Sequence, residues 1–191
     1  MAIPQRKDDY RYTYADYLSW PDEERWELIE GVPYGMSPAP GRVHQKIFGA
    51  MFNALYNHLS GNECEVYGAP LDVRLPTADD ATDDTTYTVV QPDILVVCDR
   101  SRLDDRGCNG APDICVEILS PATAYRDGTE KLRLYEKHAV TEYWLVNPDL
   151  ETVTVYTLQD GEYGNPQMYR KRHRLTSTVL AGFGLDLETV F

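Results

Sequence analysis

Residues 113–120 read DICVEILS, an almost wholly apolar run with one carboxylate, Glu117, in its middle. Upstream, Asp93 opens a second such run, DILVVC, directly after Gln91-Pro92. A bare carboxylate buried in either place costs several kcal/mol of desolvation, so each calls for a cation or several hydrogen-bond donors. Two carboxylates on neighbouring central strands could share Mg²⁺ or Mn²⁺, hard cations that take oxygen ligands and keep several waters. Such an ion polarises a phosphodiester and lowers the pKa of an attacking water. A lysine beside it orients that water and offsets charge on the phosphorane.

Side chains alternate along a strand, so a lysine two residues after Glu117 would stand beside the metal. The chain has Leu119 there. The next basic candidate is Lys131, which the pattern puts in the first turn of a helix over Thr129 to His138, packed on the sheet through Leu132 and Tyr135. From that turn an amine can project over the end of the Glu117 strand. Each residue also has a plainer reading. Asp93 can cap a strand start after proline, Glu117 can pair with Lys131 or Arg126, and Asp127 can cap the turn or helix entry.

The elements that must hold these residues follow from periodicity. A short helix is expected near Thr13 to Ser19, with Thr13 as N-cap and Asp16 three residues on. RWELIEGVPYGMSP reads as a hairpin about Glu30-Gly31. Val43, Ile47, Met51, Leu55 and Leu59 recur every four residues, a helical stripe. EVYGAPLDVRLP, VVQPDILVVC and DICVEILS read as strands, the last two apolar on both faces and so central. EYWLVNPDLETVTVYTL is strand, turn and strand, and further strand material follows toward the C-terminus. The sum is an α/β (α+β) sandwich, a mixed sheet flanked by a long early and a shorter later helix in one domain spanning 1–191.

Composition narrows the function. A net charge of −13 argues against broad adhesion to nucleic acid, though not against a nuclease whose field is local or metal-borne. RKRHR at 170–174 is the one dense basic block, read either as a strand edge kept soluble by charge or as a phosphate contact. Asp79, Asp80, Asp83 and Asp84 suggest a solvated loop. No run reaches the ~20 apolar residues of a membrane span, and the start lacks a secretory apolar stretch, so the expected location is cytoplasmic. The four cysteines lack metal spacing and are expected to be reduced and structural.

WELIEG, His44 at the head of the next helix, QPDILVVCD, GAPDICVEILSPAT, RDGTEKLRLYEKHAVTEYWLVNP and TVTVY together resemble the Uma-two family of bacterial endonucleases, over roughly 12–187. The resemblance implies a PD-(D/E)xK restriction-endonuclease-like fold in which the lysine has moved from the strand to the following helix. It implies Asp93 and Glu117 as ligands of Mg²⁺ or Mn²⁺ and Lys131 as the catalytic lysine, with Glu27 and His44 as possible support. The chain departs from the family pattern at Glu30 and Val32. Two readings from different classes follow: a metal-dependent endonuclease acting on DNA, or a catalytically silent domain of the same fold serving as a protein- or nucleic-acid-interaction module. A metal-dependent hydrolase of some other phosphate ester is a third. Two-fold substrates favour a homodimer.

Overall fold

The computed structural model describes residues 10–21, 24–36, 40–78, 81–121 and 123–191. Its first part runs α1 (Tyr14–Tyr17), β1 (Trp26–Ile29), β2 (Val32–Gly35), α2 (Arg42–Leu59), β3 (Glu65–Gly68), β4 (Val73–Arg74), β5 (Val89–Val90), β6 (Ile94–Val97), β7 (Leu103–Asp104), β8 (Gly107–Asn109) and β9 (Ile114–Ile118). A continuous helix follows: α3 (Ala124–Arg126), a π turn over Asp127–Lys131, and α4 (Leu132–Lys137). The remainder is β10 (Glu142–Asn147), β11 (Thr152–Gln159), β12 (Glu162–Tyr163), β13 (Gln167–Arg170), β14 (Arg174–Thr176) and β15 (Gly184–Asp186).

The strands form two sheets and a ribbon. One sheet has the order β2-β1-β5-β4-β8-β7; the other has β12-β11-β10-β9-β6-β3, with β13 beside β11. Of the segments expected as single strands, EVYGAPLDVRLP and VVQPDILVVC are each cut in two, with one half in each sheet. Proline explains both breaks, since Pro70 and Pro92 have no N–H to continue a ladder. The Gln91–Asp93 link therefore carries the chain from one sheet to the other.

Local chemistry accounts for the flanking elements. Thr13 and Asp16 form a reciprocal capping box at α1. The β1–β2 turn places Glu30 at φ 49° and Gly31 at φ 80°, and a Cβ on Gly31 would stand 2.6 Å from Arg11 Cβ, so glycine is needed there. Helix α2 buries Ile47, Met51, Leu55 and Leu59 against Val96, Val116, Trp144 and Val146. Val43, expected in the same stripe, is exposed, and the inward position at that end of the helix belongs to His44. The opposite sheet face packs Leu95, Cys115 and Tyr143 against Leu134, Tyr135 and Val73.

The later helix starts at Ala124 rather than near Thr129. The Ser120 carbonyl accepts from Thr123 and Ala124 N–H at 3.1 and 2.9 Å, so the chain is already wound there, and it runs on through Gly128. Lys131 consequently lies well inside the helix, not in its first turn. The cysteines also differ from expectation: Cys64 and Cys98 form a disulfide, while Cys108 and Cys115 are free and buried. The pairing of Glu65 with Val97 puts Cys64 and Cys98 across from each other, a contact of register that spacing does not reveal. Of the acidic loop, Asp83 pairs with Arg106 at 2.7 Å, and Asp79 and Asp80 lie outside the described residues. No helix among the described residues is long and apolar enough to cross a membrane.

Candidate active site

Four segments converge where the chain passes between the sheets. β1 supplies Glu27, the Gln91–Asp93 link supplies Asp93, β9 supplies Glu117, and the helix supplies Asp127, Lys131 and Tyr135. In the antiparallel pairing of β6 with β9, Ile94 faces Val116, so Asp93, one residue earlier, stands across from Glu117. On the helix, Asp127, Lys131 and Tyr135 follow at intervals of four, which puts them on one side. The π turn inserts its extra residue between Asp127 and Lys131, an irregularity often found at functional sites.

Lys131 is the centre of the cluster. Its Nζ lies 2.7 Å from Glu117 Oε1 and 2.7 Å from Glu27 Oε1, with Asp127 Oδ1 at 3.7 Å. Lys131 is 3% exposed, Glu27 and Asp127 2%, and Glu117 5%. The Tyr135 hydroxyl donates to Glu117 Oε1 at 2.9 Å, and the Gln91 N–H donates to Glu27 Oε1 at 3.0 Å. The Tyr143 hydroxyl donates to the Asp127 carbonyl at 2.9 Å, fixing the π turn to β10.

Asp93 belongs to the same site but not to the lysine. Its Oδ2 accepts the Ile118 N–H at 2.8 Å and lies 3.1 Å from His44 Nε2. The charged partners of Lys131 are Glu27, Glu117 and Asp127, whereas that of Asp93 is His44. Asp93 thus ties the chain link to the β9 backbone instead of capping its own strand.

Burial and unequal charge set the protonation of these groups. Burial acts to discharge the Lys131 ammonium, but Glu117, Glu27 and Asp127 outweigh it and hold its pKa well above the usual lysine value. Burial pushes the Glu117 carboxyl well up, and the charges of Asp127, Asp93 and Glu27 add to this against the pull of Lys131. Asp127 is raised in the same way, chiefly by burial. Burial alone would lower His44, but its hydrogen bond to Asp93 and the charge of that carboxylate leave its pKa raised. Several carboxylates therefore share one buried ammonium, and negative charge is in excess.

That excess has a direction. Both hydrogen bonds to Glu117 fall on Oε1 and both contacts to Asp93 fall on Oδ2. Among the described residues no donor bonds Glu117 Oε2 or Asp93 Oδ1. Two hard carboxylate oxygens on facing residues fit Mg²⁺ or Mn²⁺, which use one or two carboxylates and otherwise waters or substrate oxygens. Among the described residues no group of three or more His, Cys, Asp or Glu is arranged to hold a metal, so a full protein cage is not what the site offers.

The sequence names Asp93, Glu117, Lys131, Glu27 and His44, and all five meet here. It undervalues Asp127, which bonds Thr123 at the helix entry and also faces Lys131, and Tyr135, which binds Glu117 besides packing. The four-residue spacing of Asp127, Lys131 and Tyr135 is the signal that places them together. Tyr143 and Trp144 are fully buried core residues. In the basic block, Lys171, in the turn after β13, pairs with Glu151, and Arg174 pairs with Asp186 across the separate β14–β15 ribbon.

Known proteins place this arrangement in context. The family model Uma2, described as a putative restriction endonuclease, matches residues 14–188. The uncharacterized protein slr1290 of Synechocystis sp. is 28% identical over 149 residues, 76% of this chain and 73% of that protein. The crystal structure of a putative nuclease of the DUF820 group from Anabaena variabilis superposes with a TM-score of 0.72 at 22% identity, covering 94% of this chain and 97% of the other, and so shares the fold.

Proposed function

The chain belongs to the Uma2 family of putative restriction endonucleases, and on that premise we propose that it is a metal-dependent endonuclease hydrolysing DNA phosphodiester bonds. In this reading Asp93 and Glu117 hold Mg²⁺ or Mn²⁺, and Lys131 positions the attacking water. When bound, the cation supplies Lewis-acid polarisation of the phosphate and charge compensation for the carboxylates.

The chain's own residues do the rest. Lys131 keeps its proton, and two of its three N–H groups hold Glu117 and Glu27 in place. The third is left to orient a water for in-line attack on phosphorus. Tyr135 and Ile118 fix the carboxylates of Glu117 and Asp93 from outside the metal side. His44, hydrogen-bonded to Asp93, is the group placed to support that ligand.

One observation carries the proposal: a single buried lysine lies 2.7 Å from carboxylates of two different sheets. Asp93→Ala, Glu117→Ala and Lys131→Ala should each abolish Mn²⁺-dependent plasmid cleavage. Unchanged cleavage in all three would remove the assignment.

A second reading rests on the same ion pair. Lys131 already satisfies Glu117 and Glu27, which also suits a silent domain that keeps the fold to bind protein or nucleic acid. Titration calorimetry with Mn²⁺ separates the two. Binding lost in Glu117→Gln supports the enzyme, and no binding to the wild type supports the module.

A further inference from the structure

We propose that Arg126, seated on the Tyr34 ring, is the phosphate-binding residue of the site, and that the groove beyond Tyr34 carries the adjoining DNA backbone; this rests on the nuclease reading above. A DNA phosphate that reaches the carboxylates must meet positive charge beyond that of the bound cation, and Lys131, held by Glu117 and Glu27 and left one N–H for the attacking water, does not also clamp the phosphate. Its side chain is 4% exposed, and both of its close charged contacts are carboxylates.

Arg126 is placed differently. Its side chain is 24% exposed, and its guanidinium lies 4.4 Å from the centre of the Tyr34 ring. Among the described residues its nearest carboxylate oxygen, Glu27 Oε2, is 3.9 Å away, beyond hydrogen-bond length. Glu27 therefore draws the guanidinium to the lip of the site without occupying its donors. The ring holds the guanidinium plane, leaving the planar fork that matches two phosphate oxygens.

Tyr34 also lines a groove of about 370 Å³ between the hairpin and the later helix, whose walls carry Arg11, Arg133 and Lys137. Lys137 is paired with Glu30 at its rim. A backbone bound by Arg126 can continue into this groove, where cations from two segments, Arg11 of the N-terminal stretch and Arg133 and Lys137 of α4, face it. On a chain of net charge −13, the groove's basic residues outnumber its two acids, Glu30 and Glu130, so its local balance is opposite in sign to that of the whole molecule.

The test measures binding apart from cleavage. Fluorescence anisotropy of a labelled DNA duplex is followed in Ca²⁺ across a salt series, with Mn²⁺ affinity by calorimetry and Tm on the same samples. Arg126→Met should weaken duplex binding about tenfold or more at low salt, with Mn²⁺ affinity and Tm nearly unchanged. Arg126→Lys should recover little, because a point charge reproduces neither the fork nor the stacking. Arg133→Gln should lower the salt slope by about one and weaken binding only a few-fold.

Duplex affinity unchanged in Arg126→Met would overturn the proposal. So would a parallel loss of Mn²⁺ affinity, which would make Arg126 a counter-charge for Glu27. Wild type that cleaves while Arg126→Met binds normally leaves the nuclease reading standing and this inference gone. Arg126-dependent binding without any cleavage does the reverse, and a wild type that binds no duplex overturns the inference outright.

Discussion

Two glutamates on adjacent parallel strands, Glu117 of β9 and Glu142 of β10, are both buried and yet serve opposite ends. Glu142 has a neutral donor for each of its lone pairs. Trp144 Nε1 and Ser177 Oγ donate to Oε2 at 2.8 Å each, and the N–H and Oγ1 of Thr178 donate to Oε1 at 2.6 Å each. It ties the C-terminal segment to the sheet and asks nothing more. Glu117 instead receives two donors on one oxygen, shares its ammonium with Glu27, and faces the charges of Asp127 and Asp93. A buried acid satisfied by neutral donors is a structural tie. One left with a bare oxygen and surplus like charge is the kind of group to which the proposed function assigns a cation.

The contrast is sharpest in activity. Lys131→Ala and Glu117→Ala should each lower Mn²⁺-dependent DNA cleavage at least ~100-fold, the scale of a lost acid–base or charge-stabilising group. Glu142→Gln should leave the rate within about twofold at temperatures where it stays folded. Equal losses at the two glutamates, read from supercoiled-plasmid kinetics, would dissolve the distinction.

Stability should reverse the order. Glu142→Ala strands a buried indole N–H, a backbone N–H and two hydroxyls, at a cost of about 3 kcal/mol, or roughly 6–12 °C in Tm for a chain of this size. Glu117→Gln removes like-charge repulsion and should hold or raise the Tm of the metal-free protein. Thermal melts in chelator test both signs at once.

The two glutamates also differ in how far the sequence signals their burial. Glu117 stood out because its flanking residues are apolar on both sides, and Asp93 because it follows Pro92 into a like run. Glu142 starts its strand after Thr141, so nothing around it signals burial, and its partners Ser177 and Thr178 arrive from far along the chain. The periodicity of α2 and the Glu30-Gly31 turn are local and were legible. The splitting of two strand runs between sheets, the Cys64–Cys98 bond and the π turn depend on how distant segments meet. For that reason the sequence signals Lys131 without fixing its place in the helix, and signals Arg126 only as a salt-bridge partner of Glu117.

Acidity gives a subtler difference. Because the folded state raises the Glu117 and Asp127 pKa values, it binds more protons than the unfolded chain above the ordinary carboxylate range. Linkage then makes stability fall as pH rises through that window, until the folded values are passed. Metal-free wild type should therefore melt lower at pH 8 than at pH 5.5, and Glu117→Gln should flatten the slope. Saturating Mn²⁺ should remove most of it by stabilising the ionised carboxylates. A slope that persists unchanged in Glu117→Gln and in Mn²⁺ would mean the site is not its source.

The smallest effect is expected at the basic block, which tests whether positive charge anywhere on the chain would serve DNA. Lys171 and Glu151 are both about half exposed and 2.7 Å apart, and Arg174 pairs with Asp186 at 3.1 Å. Exposed pairs of this kind contribute about 0–1 kcal/mol. β13, which carries Arg170, is separated from β9 by β11 and β10, so a backbone bound over Arg126 has no short route to it. Lys171→Ala should shift Tm by about 2 °C or less and leave duplex affinity within about twofold. A loss matching that of Arg126→Met would move the DNA surface to the far edge of the sheet. It would also turn the groove beside Tyr34 into a solvated margin of the hairpin.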